Sequence, residues 1–318
     1  MSAKSHFEFW QGRIDSEDGD LGKRWHQALS SDANDTELAL VGFASDLGVI
    51  ANKGRAGAKN GPNAIRTALA NVAWHSDKSF YDYGNIEAKN SLATAQQHYA
   101  DAICQCLQQQ KYVIGFGGGH EIAWGSYQGL HAHLDQQTKQ ANIGIINFDA
   151  HFDLRKPAPD TSSGTPFYQI AKHCQQHALD FQYTCLGVAK TANTQALYSR
   201  ANTLNVRYLS DTDFCVDGAK SILAEFLQSI DHLYLTVCLD VFNAGIAPGV
   251  SAPAALGIDL KKVVELIHWI GQSQSKLRFS WRLADIAEMN PAYDIDNRTA
   301  KLAARLVFEM HQAMIAQS

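Results

Sequence analysis

Five consecutive residues, Asp149-Ala150-His151-Phe152-Asp153, set two carboxylates around an imidazole directly after the hydrophobic run 143–148. Acids this close together at the end of a buried strand repel one another, and the repulsion has to be compensated. A divalent cation compensates it, and a mixed carboxylate–imidazole set suits manganese or another borderline first-row ion. Taken alone, the segment is also compatible with a solvated acidic turn. Three more clusters have the same character: Gly117-Gly118-Gly119-His120-Glu121, Cys238-Leu239-Asp240 and Glu288-Met289-Asn290-Pro291. Each has an ordinary alternative. A glycine run makes a tight strand-to-helix turn, and a single histidine is more often structural than a ligand. The four clusters together are much harder to dismiss.

Their position in the chain pattern says what must hold them. Short β-rich runs occur at 38–44, 112–116, 143–149, 182–188, 206–210, 233–240 and 278–287. Helix-like segments lie between them at 64–72, 92–109, 122–134, 167–176, 194–202, 219–230 and 260–271, and an amphipathic stretch at 299–316 follows. Strands alternating with helices give an α/β fold with a mainly parallel sheet covered on both faces. The near-continuous hydrophobics of these runs (VIGF, IGII, LYLTV) agree with two buried faces. Ligands of such sheets bind beyond the carboxyl ends of the strands, where all four clusters fall. No repeat or linker interrupts the pattern, so residues 1–318 read as one catalytic domain, with 1–35 as an N-terminal extension packing on it.

Bulk properties exclude several classes. A chain of 318 residues with 46% hydrophobic and 19% charged residues has material for a large core. Its 27 basic and 32 acidic residues give a net charge of −5, which offers neither a nucleic-acid surface nor a polybasic membrane contact. Six cysteines without a CxxC pair, no signal-like apolar run near the start and no apolar stretch approaching the ~20 residues of a membrane helix give the expectation of a reduced, cytoplasmic protein.

The motifs GGGHE and DAHxD, the strand ending in Asp240 and the following Ala247-Pro248-Gly249 resemble those of the ureohydrolase family of arginases and agmatinases. Within that family the resemblance is greatest to the formimidoylglutamase branch. It is carried by Trp10-Gln11-Gly12-Arg13-Ile14-Asp15, Ser163-Gly164-Thr165-Pro166-Phe167, the stretch 247–253 and Glu288-Met289-Asn290-Pro291. Gly54-Arg55-Ala56-Gly57-Ala58 with Gly61-Pro62 looks like the family's first substrate-side loop.

The resemblance implies a three-layer α/β/α sandwich and a site for two Mn2+ ions per subunit. His120, Asp149 and Asp153 would hold one ion, and Asp149, His151 and Asp240 the other, with Asp149 bridging. It further implies hydrolysis of N-formimidoyl-L-glutamate to L-glutamate and formamide by a metal-activated hydroxide, in histidine degradation. Asp153 would relay the proton, and Glu288 would hold the planar cationic group of the substrate. Arg155, Ser163 and Arg55 are the expected substrate contacts. Arg155 stands where arginases carry a neutral asparagine, and its charged fork suits a carboxylate. Ser163 stands where arginases carry a histidine. A small-molecule substrate and a homo-oligomer are expected on the same ground.

Cys238 departs from the family pattern, which places a bridging aspartate there. A thiolate would favour zinc or iron over manganese, a neutral thiol would leave the second ion short of ligands, and a third reading has the side chain pointing away. Two other functions stay open at this level. One is another ureohydrolase, acting on agmatine or a guanidino acid, although the loop after Gly187 lacks the acidic character a cationic substrate would want. The other is a metal-poor, non-catalytic homologue.

Overall fold

Residues 7–89, 91–137 and 142–316 are described in a computed structural model of the chain. Its strands are β1 (Leu29–Ser30), β2 (Thr36–Ala44), β3 (Ser79–Glu87), β4 (Tyr112–Gly117), β5 (Ile143–Phe148), β6 (Gln182–Val188), β7 (Arg207–Ser210), β8 (His232–Cys238) and β9 (Ser280–Ala287). They pair in the order β1-β3-β2-β4-β9-β8-β5-β6-β7, and the sheet is parallel throughout. The helices are α1 (Leu47–Ala51), α2 (Gly61–Leu69), α3 (Leu92–Gln108), α4 (Ile122–Asp135), α5 (Pro166–Gln176), α6 (Gln195–Thr203), α7 (Val216–Gln228), α8 (Leu260–Leu277) and α9 (Arg298–Ile315). One sheet face packs on α2, α7, α8 and α9 through Ile65, Leu223, Ile267 and Leu306. The other packs on α3 to α6 through Tyr99, Tyr127, Ile170 and Leu197. The result is the expected three-layer α/β/α sandwich.

Three local expectations change. β3 is absent from the sequence reading because Ser79–Glu87 reads SFYDYGNIE, with buried positions alternating and Asp82 among them. That aspartate is tolerable only because Arg66 of α2 meets it: Nε donates to Oδ2 at 2.7 Å and Nη2 to Oδ1 at 2.8 Å, both side chains wholly buried. Breaking such a buried pair by removing one partner costs about 3–5 kcal/mol. α8 does not stop at Gly271 but continues to Leu277. A Cβ at Gly271 would meet the backbone of Ala313, so the glycine serves close approach to α9 and is no terminator. The helix ends instead where Arg278 turns left-handed at φ 65°, so the strand expected from 278 begins at Ser280. α2, lastly, starts at Gly61 with Pro62 in its first turn, three residues before the expected 64.

The early segment packs onto this frame. Trp10 Nε1 donates to Asp82 at 2.6 Å, and Trp25 is fully buried, edge-on to Trp74 at 4.7 Å and beside Phe80 and His311. Among the described residues, no helix is long and apolar enough to cross a membrane.

Candidate metal centre

The chain leaves β4, crosses through α4 and returns at β5, leaving room in the sheet for β9 and β8 between them. The carboxyl ends of these four adjacent strands carry His120, Glu288, Cys238 and Asp149. This is the switch-point crevice in which open α/β sheets bind ligands.

Local geometry explains the residue types. Gly118 N–H donates to Phe43 O at 3.0 Å and Gly119 N–H to Ser45 O at 3.2 Å. A Cβ at Gly118 would collide with the backbone of Ser45, so the glycine run allows two loops to touch and swings His120 over the strand ends. Asp153 and Glu288 lie in the left-handed region, at φ 47° and 68°. Neither is glycine, and such conformations cost on the order of 1–3 kcal/mol, so the surroundings enforce them.

Four contacts define the cluster. His120 Nδ1 is 2.9 Å from Asp149 Oδ2 and 3.1 Å from Asp153 Oδ2. His151 Nδ1 is 3.4 Å from Asp149 Oδ1 and 3.2 Å from Asp240 Oδ2. The potential ligand atoms of His120, Asp149 and Cys238 lie within 4.8 Å of one another, as do those of Asp149, His151 and Asp240. Asp149 is common to both groups. Cys238 therefore faces the cluster, and the reading in which it points away does not hold. Asp153 touches His120 but stands outside the two tightest groups.

The donor set fits a cation. His120 Nδ1, though so near two carboxylates, has no contact of hydrogen-bond geometry, and Asp240 Oδ1 is buried without a partner among the described residues. On the far side of the His120 ring, Nε2 is 3.1 Å from Thr236 Oγ1. With the ring proton on Nε2, that hydroxyl oxygen is the acceptor the ring needs. In that tautomer Nδ1 turns a lone pair toward the carboxylates, and a positive centre reconciles them, a metal ion when one is bound and a proton otherwise. Asp149 is itself braced: Oδ2 accepts from the Asn147 amide at 3.0 Å and Oδ1 from His151 N–H at 2.7 Å.

Electrostatics report the same crowding. Burial, reinforced by the Asp149 carboxylate, pushes Asp153 up to about 6. Burial, with Asp240 and Glu121 nearby, pushes Glu288 up to about 8. Burial and four surrounding carboxylates raise the Cys238 thiol well above its usual range. Burial opposes charge on His120 and His151, yet their carboxylate neighbours hold both well above an ordinary histidine.

A cavity of about 260 Å³ opens over the cluster, lined among others by Asn52, Lys53, His151, Arg155, Ser163 and Glu288. Glu288 is buried and its Oε1 accepts from His120 N–H at 2.9 Å. Arg155 lies exposed at the rim, its backbone N–H bonded to Gly164 O at 2.9 Å. Ser163 is buried, and its N–H bonds to Gly48 O at 3.0 Å. Arg55 is not among the lining residues. Its guanidinium bonds to the carbonyls of Val250 and Ser251 and lies 4.0 Å from the Tyr293 ring centre, so it clamps two loops together. A larger concavity of about 640 Å³, lined by Asn243, Leu256, Lys261 and Arg305, is remote from these residues and holds no convergent ligand group among the described residues.

Sequence reasoning missed Asn52, Asn147, Thr236 and Asp285. The last three had a signal, a polar side chain inside an otherwise apolar strand run (IINF, LTV, LADIA). Asn52 follows the short α1, held by Glu121, which accepts from Ser45 Oγ–H at 2.8 Å and Gly48 N–H at 3.0 Å.

A model of the Arginase family matches residues 36–312. Among relatives, a formimidoylglutamase of Photobacterium profundum is 44% identical over 96% of this chain and 94% of its own length. One of Aeromonas salmonicida is 46% identical over 96% of this chain and 98% of its own. The fold matches the crystal structure of Trypanosoma cruzi formiminoglutamase with Mn2+ at a TM-score of 0.78 and 21% identity, covering 89% of this chain and 95% of that one. It matches a Bacillus subtilis formimidoylglutamase at 0.78 and 21%, covering 93% of each. With the motifs, the strand-end cluster and a match across most of its length in agreement, the chain belongs to the arginase family of hydrolases.

Proposed function

We propose that the protein hydrolyses N-formimidoyl-L-glutamate to L-glutamate and formamide in histidine degradation, the hydrolysis being the activity its relatives are named for. The observation that carries this reading is the polarity of the cavity: Asp153, Asp240, Glu288 and the His151 imidazole line it together with Arg155 and Lys53. The substrate has matching polarity, a planar amidinium-type group at one end and two carboxylates at the other. Glu288 would fix the amidinium by paired hydrogen bonds, and Arg155 a carboxylate.

His120, Asp149, His151 and Asp240 would hold manganese, with Asp153 and Cys238 beside them, and Asp149 would serve both groups of donors. Bound there, manganese supplies Lewis acidity and lowers the pKa of water. The chain's residues do the rest. Glu288 orients the formimidoyl carbon over the floor, so that water oxygen adds to it. Asp153 would take a proton from the attacking water and pass it to the departing nitrogen. The bond between that carbon and the glutamate nitrogen breaks, leaving formamide and the free amine. Ser163 cannot titrate there, so proton transfer falls to Asp153 and solvent. A homo-oligomer working in the cytoplasm belongs to the same reading, and light scattering of the purified protein checks the assembly.

The test is turnover of N-formimidoyl-L-glutamate, agmatine and 4-guanidinobutyrate by manganese-loaded protein, with metal content measured in parallel. Release of formamide and glutamate, lost together with bound metal in Asp149→Ala, is expected. Turnover of a guanidino substrate in preference would overturn the substrate assignment, and full activity without metal would overturn the centre.

A further inference from the structure

Away from that crevice, α4 and α5 pack side by side and gather three histidines. Ring centres are 4.3 Å apart for His173 and His177, 4.9 Å for His131 and His173, and 6.4 Å for His131 and His177. His173 and His177 are four residues apart at the end of α5, and His131 and Asp135 four apart at the end of α4. Residues at that spacing share a helix face, so two ligand-type pairs meet across one helix–helix seam. The Asp135 carboxylate is near enough to act on His131. His173 Nε2 is buried with no hydrogen-bond partner among the described residues.

Three imidazoles in contact repel when protonated. Burial, together with the rings of His131 and His177, pushes His173 down to about 4, which leaves a free lone pair at neutral pH. Neutral imidazoles prefer the later first-row dications to manganese. The cluster thus differs in kind from the carboxylate-rich crevice.

We propose that His131, His173 and His177, with Asp135 as a fourth donor, form a second cation site for a late first-row divalent ion of the Zn2+, Co2+ or Ni2+ type. The groups whose ligand atoms already converge lie in the crevice. Here the rings lie against one another, and closure needs a rotation of His177, which is exposed at the helix end and free to make it. A bound ion would staple α4 to α5. α4 begins just after His120 and Glu121, and α5 just after Ser163 and Thr165, so the staple would tie together two helices that lead from the crevice.

The probe is Co2+, whose tetrahedral complexes absorb visible light intensely, added to protein preloaded with manganese. One additional Co2+ per chain with a tetrahedral spectrum is expected. His177→Ala and His173→Ala should each abolish that spectrum and weaken binding of the added ion at least tenfold, a bound set by the roughly 10–100-fold effects of mere outer-shell partners. Turnover by the manganese-loaded variants should stay at the wild-type level. Absence of a tetrahedral spectrum in the wild type overturns the proposal. So does its persistence in both variants, which would assign the ion to the crevice. Because His177 is exposed, its variant leaves the core untouched.

Discussion

Thr236→Val isolates the link between the sheet and His120. The substitution keeps the shape of a buried, β-branched side chain and removes one hydroxyl. Oγ1 is 3.1 Å from His120 Nε2. Asp285 keeps Ser126 Oγ–H at 2.5 Å and Tyr234 O–H at 2.6 Å, so the loss falls on the histidine. Its buried N–H is left without an acceptor, at a cost of about 1–3 kcal/mol. The ring is then free to rotate or exchange its tautomer, and Nδ1 no longer has to face Asp149 and Asp153. Partners of this kind are worth roughly 10–100-fold in metal affinity. That range corresponds to about 1.4–2.7 kcal/mol, which matches the cost of the orphaned N–H. Manganese titration by calorimetry should therefore show an ion bound about 10–100-fold more weakly, with kcat/KM recovering at saturating manganese. Thr236→Ser, which restores the hydroxyl, should bind like the wild type. Unchanged manganese affinity in Thr236→Val would refute the argument that Thr236 sets the tautomer of His120.

Arg155→Ala should lower kcat/KM for formimidoylglutamate by about tenfold to a hundredfold, the loss of roughly 1.5–3 kcal/mol of charged hydrogen bonding, while metal content stays intact. Formimidoylglycine, which lacks the distal carboxylate, should be a poor substrate that the change hardly affects; an equal loss on both would remove Arg155 from substrate reading. Cys238→Asp should raise manganese affinity, because a hard carboxylate replaces a thiol that burial and neighbouring acids keep protonated, and calorimetry showing no change would place the sulfur outside the ligand shell. His173 gives a pH dependence: burial and the neighbouring rings hold it at about 4 in the fold, below the roughly 6.5 of an ordinary histidine, so the unfolded chain binds the proton more tightly. Stability is then full above about pH 6.5 and falls as pH drops toward 4, and denaturant midpoints should fall less over that window in His173→Gln than in the wild type.

What the sequence discloses and what it hides follow from the physics of each element. β4, β5 and β8 are buried on both faces, so their hydrophobic runs are long enough to recognise, and the ligand-type residues come directly after them. β3 escapes because its interior is held by the Arg66–Asp82 pair, a contact across sixteen positions that no local pattern announces. Gly271 misleads for a similar reason, since its purpose lies on α9. Arg55 and Arg155 look equivalent in a sequence. Only the fold separates an arginine that clamps the carbonyls of Val250 and Ser251 from one left exposed at the cavity rim.

The support beneath the cluster is nonetheless written in the strands, at a spacing of two. Gly115, Asp285, Thr236, Asn147 and Cys185 are register partners in one row across β4, β9, β8, β5 and β6. Residues two apart on a strand share a face, so the next row on that face runs Gly117, Ala287, Cys238, Asp149 and Gly187. Each candidate ligand of the second row therefore stands over a polar residue of the first. Asn147 bonds to Asp149 on its own strand, and Thr236, under Cys238, reaches His120. Small residues, Gly117, Ala287 and Gly187, fill the remaining places of the upper row, which leaves volume above the sheet for a bound group. Burying Asp285, Thr236 and Asn147 in a strand core is costly unless each is fully hydrogen-bonded. A chain that needed only stability would carry Val or Ile at those three positions. The row is best explained as the part of the sheet that fixes ligand direction, and it predicts that Asn147→Val, like Thr236→Val, weakens manganese binding while leaving the sheet intact.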